Sequence, residues 1–304
     1  MKVLVTGGTG FVGRQVVGDL VSRGHWVKVL ARDPDAAQAR GWAGQKAVQW
    51  VAGDVLEAGG LRAALAGMEG VVHLVGIISE CREITFERLH VHATRNVLTA
   101  MGQAGVRRLV HMSALGTRPQ AASTYHQTKW AAEELVRASG LDYTIFRPSI
   151  IYGPGDQFIN RFAQLMRYSP VVPVMGSGQA RLQPVSVANV GRAFALALDD
   201  ARTRGQTIDL CGPETLTFNQ ILDGIMQATG RHRLKIHLPL GVARLLAAGL
   251  EILFPALLRR PPPLNRQQLI MLQEDHSGDF QTAANLFDLG SSFLTESIQK
   301  YLLV

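Results

Sequence analysis

The chain has 304 residues, 47% of them hydrophobic and 18% charged, and carries a formal net charge of +7. That length and balance exclude a disordered chain and fit a globular α/β protein with a sizeable core, as one large domain or a core with a smaller lobe. Two cysteines, Cys81 and Cys211, stand far apart without metal-ligand spacing. They point to a reducing compartment, with no disulfide framework and no metal site. The basic balance admits an anionic partner, whether a phosphorylated cofactor or a membrane surface. Nucleic acid is disfavoured, because the positive charge is mostly scattered arginine with no lysine run and no aromatic-basic interleaving.

Apolar runs predict strands over 2–6, 26–30, 47–51, 70–76, 107–112 and 142–147, each followed by a helix-length segment. That alternation predicts a doubly wound parallel sheet of Rossmann type, with ligands at the C-terminal ends of its strands. The first strand runs directly into Gly7, Gly10 and Gly13, ahead of the amphipathic run Phe11 to Val21. Gly7 permits a tight turn, Gly10 lets a pyrophosphate approach the backbone, and Gly13 lets the helix pack closely. With a strand and glycine turn filling the first residues, no signal peptide is expected. Past Pro154 the order changes. Helices are predicted near 157–168, 187–199, 217–229 and 239–254, with short strands at 182–185 and 206–210. The reading is a dinucleotide-binding domain over 1–154 and a smaller mixed substrate or partner lobe over 155–304, interleaved with the sheet edge.

The second predicted strand ends in Arg32-Asp33-Pro34. A carboxylate there suits the 2′-hydroxyl of NAD and an arginine suits a 2′-phosphate. Arg32 stands first, so NADP(H) is favoured over NAD(H), and Asp33 before proline also reads as a turn residue. Asp54, after the third strand, either meets an adenine amino group or caps the next helix. Tyr125 and Lys129 stand four residues apart in a helical stretch, on one face. An ammonium close to a phenol favours the phenolate, which makes Tyr125 a candidate general acid/base with Lys129 as its tuner.

Together, Thr6-Gly-Gly-Thr-Gly-Phe-Val-Gly13, Tyr125 with Lys129, and Arg147-Pro-Ser-Ile-Ile-Tyr-Gly-Pro-Gly-Asp156 resemble the short-chain dehydrogenase/reductase superfamily, in its extended or atypical branch, which includes the NAD-dependent epimerase/dehydratase family. His111-Met-Ser-Ala-Leu-Gly116, Arg181-Leu-Gln-Pro-Val185 and the stretch from Leu264 to Asp275 are similar to the nucleotide-binding accessory subunit of respiratory complex I and its bacterial relatives. The resemblance implies that Gly7, Thr9, Gly10, Phe11, Val12 and Gly13 cradle the pyrophosphate and that Arg32 takes the adenosine phosphate. Asp54 and Val55 would flank the adenine. Leu74, Val75 and Gly76 would line the ribose and nicotinamide, with Pro148 and Ile151 beside them. Tyr125 and Lys129 would be the catalytic pair, Lys129 also anchoring the ribose, and Arg181 would reach a substrate phosphate.

Three departures stand out. The serine or threonine that relatives place near the end of the fifth strand aligns with Ala114, leaving Ser113 one residue early as a candidate of doubtful aim. His90 replaces a structural asparagine, and Asn189 replaces an aspartate. Two functions follow as expectations: an NADP(H)-dependent oxidoreductase or epimerase-type enzyme, or a non-catalytic NADP(H)-holding accessory or assembly protein of a respiratory membrane complex. The apolar stretch 241–258, ahead of Arg259 and Arg260, contains Arg244, Glu251 and Pro255 and reads as a poor membrane span. It fits either an amphipathic helix on a membrane or partner through 241–260, or a helix covering the cleft. The expected location is the cytoplasm, with contact to the inner membrane through that stretch.

Overall fold

The computed structural model describes residues 1–39 and 47–302. In chain order the first half comprises β1 (Lys2–Thr6), α1 (Phe11–Ser22), β2 (Trp26–Ala31), α2 (Pro34–Ala39), β3 (Val48–Ala52), α3 (Ala58–Leu65), β4 (Gly70–His73), α4 (Ala93–Ala104), β5 (Arg108–Met112), α5 (Thr124–Ala138) and β6 (Asp142–Pro148). Then follow β7 (Ile151–Tyr152), α6 (Ile159–Tyr168), β8 (Val171–Met175), β9 (Arg181–Leu182), β10 (Val185–Ser186), α7 (Val187–Asp199), β11 (Gln206–Leu210), β12 (Leu216–Thr217), α8 (Phe218–Thr229) and β13 (Leu234–Leu238). Four helices close the chain: α9 (Leu240–Leu253), α10 (Arg266–Met271), α11 (Phe280–Phe287) and α12 (Leu294–Leu302).

Seven parallel strands form the main sheet in the order β11-β6-β5-β4-β1-β2-β3. The winding reverses between β1 and β4, which opens a crevice beyond the C-terminal ends of those two strands. Helices cover both faces, so β1 is a continuous apolar run instead of an alternation, and Val3, Leu4 and Val5 have no exposed surface. One face is closed by Val16, Val17 and Leu20 of α1 with Phe194 of α7 and Phe287 of α11. The other is closed by Leu61 and Leu65 of α3, Val97 and Met101 of α4, and Val136 of α5.

Arg108 fixes the far end of this unit. It is buried, and its guanidinium donates to the carbonyls of Ala197 and Leu198 at the end of α7, to the Asp142 carbonyl, and to Thr144 and Thr203. A buried charge that satisfies a helix's last carbonyls ties α7 to the sheet.

Three elements differ from the sequence expectation. The fourth strand ends at His73, not at residue 76. Leu74 still donates to the Thr6 carbonyl, but the chain then turns away beside Gly7, whose Cα faces the backbone of Leu74 and Val75. The stretch expected as one strand over 182–185 is two short pieces, β9 and β10, separated by Gln183 and Pro184, the latter without a donor for a ladder. Finally, 187–210 returns to the main unit, because β11 pairs with β6 and α7 packs on α1. The lobe is therefore discontinuous in sequence, with its own core of Ile159, Met166, Phe218, Ile225, Leu294 and Ile298.

Helix α9 is unlike the rest. Ala243 and Ala247 pack on Leu269 of α10, while Leu245, Ile252 and Leu257 are largely exposed. The helix continues past Phe254 as a π-type turn to Leu258. That wider register accommodates Pro255, which has no N–H to give. By length and composition alone Leu240–Leu258 is long and apolar enough to cross a membrane, but the helix is anchored along one side to the protein through Ala243 and Ala247.

Candidate functional site

The glycine turn stands at the switch point. Gly7 has φ +79°, a left-handed conformation that favours glycine. A Cβ on Gly13 would lie 2.2 Å from the Gly7 carbonyl oxygen, so only glycine lets α1 start this close to the turn. Gly8 is constrained too, less severely, since a Cβ there would meet a Val29 methyl at 2.7 Å, a constraint not anticipated from the spacing. Gly10 is the N-cap of α1 and no side chain caps it. The first N–H groups of α1, at Phe11, Val12 and Gly13, therefore present their partial positive charge to the crevice. Thr9 and Gly10 are exposed at its lip. These residues fit a pyrophosphate.

At the adenosine end, Arg32 is exposed just past β2, and among the described residues no hydrogen bond or ion pair holds its guanidinium. Asp33 accepts from the Ala36 N–H at 3.0 Å and so behaves as the turn residue. Asp54 accepts from the Leu56 N–H at 2.9 Å, closing a turn, while the N-cap of α3 is Glu57. The cap reading of Asp54 is thus corrected by three residues. Val55 is buried, and its carbonyl accepts from Asn96. Arg14, in the first turn of α1, is a second exposed cation here and donates to the Thr9 carbonyl.

Beyond β4, Leu74 is buried and Gly76 is exposed. A Cβ on Gly76 would come within 3.0 Å of Lys129 Nζ and 3.5 Å of His90 Nε2, so glycine there leaves the ammonium room. Lys129 donates to the Met112 carbonyl at 3.0 Å, and burial pushes its pKa down to about 8 against the pull of Glu133. His90 bridges Thr128 Oγ1 at 2.9 Å and the backbone of Ile77. Thr128 donates its own proton to a carbonyl of the preceding turn, which makes His90 Nδ1 the donor and Nε2 the acceptor from Ile77. Burial, reinforced by the Lys129 charge, pushes His90 to about 2 and His73 to about 3, so both rings are neutral. His73 is held by Thr6 and Thr94 and stacks on His111, which burial likewise keeps neutral.

Tyr125 lies in the first turn of α5, whose N-cap Ser123 accepts from the His126 N–H. Its ring is buried against Phe86 and Ala114, with Ile77 and Met271 alongside. The lowering of the phenol pKa expected from Lys129 is not realised in this geometry: burial pushes Tyr125 up to about 12. Ser113 is turned elsewhere. Its hydroxyl donates to Glu133 at 2.5 Å, and Glu133, with no exposed surface, also accepts from Arg137 and Arg147. Strand alternation explains this, since Ser113 and Ala114 leave β5 on opposite sides. The candidate catalytic Ser113 is therefore corrected to a partner of a buried ion cluster, which the sequence offered no spacing to reveal.

The remaining sites divide. Pro148 is buried and Ile151 half-buried at the ends of β6 and β7, and Phe11 reaches the loop at Gly153. Arg181 is exposed on β9, where its backbone is held by Asp275 and His276. Asn189 both donates to and accepts from Gly290, a pair of bonds an aspartate could not make.

A family model described as NAD(P)H-binding matches residues 7–160, and one for the 3-beta hydroxysteroid dehydrogenase/isomerase family matches 114–215. The 3 beta-hydroxysteroid dehydrogenase/Delta 5-->4-isomerase of Mycobacterium tuberculosis is 30% identical, covering 88% of this chain and 81% of that protein. The chain belongs to the NAD(P)-binding short-chain dehydrogenase/reductase superfamily. Within that superfamily it is also similar to subunit 9 of the NADH dehydrogenase [ubiquinone] 1 alpha subcomplex, a mitochondrial protein. The Arabidopsis thaliana subunit is 29% identical over 89% of this chain and 69% of its own length, and the Mus musculus subunit 32% over 78% and 64%. Among solved structures, UDP-glucose 4-epimerase from Thermotoga maritima aligns with a TM-score of 0.78 at 20% identity, covering 99% of this chain and 97% of that one. This last likeness is one of fold. For a short-chain dehydrogenase/reductase, the glycine turn, the Gly76–Lys129 approach and the open end of α1 are the candidate dinucleotide cradle.

Proposed function

We propose that the protein holds NADP(H) as a bound ligand and serves as an accessory on a respiratory membrane complex, with α9 and Arg259–Arg260 lying against the adjoining membrane surface. The reading that the dinucleotide is held and not turned over is carried by the end of β5: Ala114 packs on Tyr125, and the hydroxyl one residue earlier, Ser113, gives its proton to Glu133. A substrate oxygen beside Tyr125 then receives no orienting hydroxyl from the end of β5. Arg32, exposed and unpaired among the described residues, would bind the adenosine 2′-phosphate, whereas the Asp33 carboxylate is engaged in its turn. A nicotinamide dinucleotide supplies hydride chemistry wherever it is bound. Lys129, whose ammonium lies beside Gly76, would donate to the ribose hydroxyls of that ligand, and neutral His90 fixes the neighbouring Ile77 backbone.

The surface reading rests on α9. Its exposed leucines and isoleucine are unfavourable in water, its inner side is pinned through Ala243 and Ala247, and its Glu251 is neutralised by Arg266 at 2.7 Å. Arginines after the helix suit anionic headgroups. The similarity to subunits of a mitochondrial NADH dehydrogenase supports association with a respiratory complex.

The test is paired. Natively purified protein incubated with NADPH and carbonyls, quinones or nucleotide sugars is expected to show no turnover while retaining dinucleotide. The double variant Leu245→Asp, Ile252→Asp is expected to leave the membrane fraction. Robust turnover abolished by Tyr125→Phe would instead establish the second reading, an NADP(H)-dependent oxidoreductase or epimerase-type enzyme. That reading is favoured by Tyr125 and Lys129 sharing one face of α5 and by the lowered pKa of Lys129. In it, Tyr125 would exchange the substrate oxygen's proton and Arg181 would meet a substrate phosphate.

A further inference from the structure

Away from the dinucleotide cradle, α5 meets the segment after α10 at a group of side chains that the proposed function does not use. His126, in the first turn of α5, has no exposed surface and His276 is 8% exposed, and their ring centroids stand 5.3 Å apart. Glu274 joins them, so that one ligand atom from each of the three residues lies within 4.8 Å of the others. Both Nε2 atoms are buried without a hydrogen-bond partner. The opposite nitrogens are held. His276 Nδ1 faces the Glu274 carbonyl at 2.9 Å, and His126 Nδ1 faces Ser123 Oγ at 2.9 Å. A carbonyl oxygen only accepts, so His276 carries its proton on Nδ1 and turns the Nε2 lone pair inward. Imidazoles held through one nitrogen by a backbone or side-chain oxygen, with the other free, are in the arrangement that metal-binding histidines adopt.

The backbone also leaves room. Gly116 has φ +88°, and a Cβ there would come within 2.8 Å of His276 Nε2 and 3.3 Å of His126 Cε1. We propose that His126 Nε2, His276 Nε2 and a carboxylate oxygen of Glu274 form a site for a divalent transition-metal cation, zinc above all. Two imidazoles and one carboxylate suit zinc and its neighbours, whereas calcium and magnesium seek an all-oxygen shell. Ligand atoms around a tetrahedral zinc stand roughly 3.3 Å apart, given zinc–nitrogen bonds of about 2.0 Å. The group therefore closes in modestly on binding. Glu274 is bonded to Arg118 through both oxygens, at 2.8 and 3.2 Å. Giving up the longer bond frees Oε2 for the metal and leaves Arg118 holding Oε1, and a water completes the shell.

Such an ion would staple the sheet unit to the lobe. His126 follows Tyr125 directly, and His276 donates its backbone N–H to the Arg181 carbonyl on β9. The two histidines stand 150 residues apart in the chain, so no ligand spacing announces the site, and it revises the sequence expectation of no metal.

The test uses the untagged full chain, stripped with a chelator, desalted and titrated with cobalt(II), then with zinc in competition. One equivalent of cobalt is expected, with the visible bands of a tetrahedral site that zinc abolishes. His276→Gln and Glu274→Gln are each expected to weaken it by at least about 10-fold, with NADPH binding unchanged as the check on folding. His126→Gln is the third variant, with its thermal transition recorded alongside. Absence of saturable binding overturns the proposal. So does binding that is undiminished in both His276→Gln and Glu274→Gln, because exposed histidines such as His232 and His237 would then account for it.

Discussion

Acidification is expected to unfold this protein through the histidines packed beneath the crevice. An unfolded histidine titrates near 6.5, whereas burial lowers His73 to about 3 and His90 to about 2 in the folded chain. The unfolded state therefore binds more protons across the window from 6.5 down to those folded values, and stability falls as pH falls through it. Between pH 7 and pH 5 each such ring withdraws about 1.9 kcal/mol, so these two together withdraw about 4 kcal/mol. His111, lowered well below its ordinary value by burial and by His73, adds to the loss. That is a large share of a typical net stability of about 5–15 kcal/mol. Urea unfolding at pH 7, 6 and 5, with chelator present throughout, measures it. The midpoint is expected to fall steeply below pH 6.5, and His90→Gln is expected to flatten the curve by about half of the two-ring effect. A midpoint unchanged between pH 7 and pH 5 would refute the neutral, buried assignment of these rings.

Other substitutions probe separate parts of the account. Gly13→Ala forces a methyl against the Gly7 carbonyl, with no flexible group to yield. It is expected to cost about 3 kcal/mol and to abolish dinucleotide binding in a fluorescence titration. Arg108→Met strips donors from the Ala197 and Leu198 carbonyls ending α7; a loss of about 3 kcal/mol in chemical denaturation is expected, and a loss under 1 kcal/mol would contradict the role assigned to it. Arg32→Ala is expected to weaken NADPH about 10- to 100-fold, the worth of a hydrogen bond to a charged group, and to leave NADH within twofold by calorimetry. Equal effects on the two dinucleotides would remove Arg32 from the 2′-phosphate.

The sheet unit was legible because its determinants are local. Three apolar residues ending in a glycine turn at Gly7, a helix-length apolar face, then another strand, each announce themselves within a short window. The glycine turn was legible for the same reason, since Gly7 and Gly13 are demanded by backbone geometry within one turn. What escaped depends on pairing across distance. Nothing in Gln206–Leu210 says that it completes the main sheet next to β6, because five-residue strands look alike wherever they pair. Ser113 gave a candidate hydroxyl, but its direction is decided by Glu133, twenty residues on, and by Arg147. The burial that raises the Tyr125 phenol comes from Phe86 and Ala114, on other elements. The exposed side of α9 was visible as composition, yet which side faces outward required Leu269 to be in place against Ala243 and Ala247.

The central claim, that this chain carries NADP(H) as a held ligand, is tested most directly by mass spectrometry of the small molecule released when natively purified protein is denatured. The account predicts NADP(H), close to one per chain, and retained after prolonged incubation with candidate substrates. Recovery of NAD(H) alone, or of no dinucleotide, would contradict it.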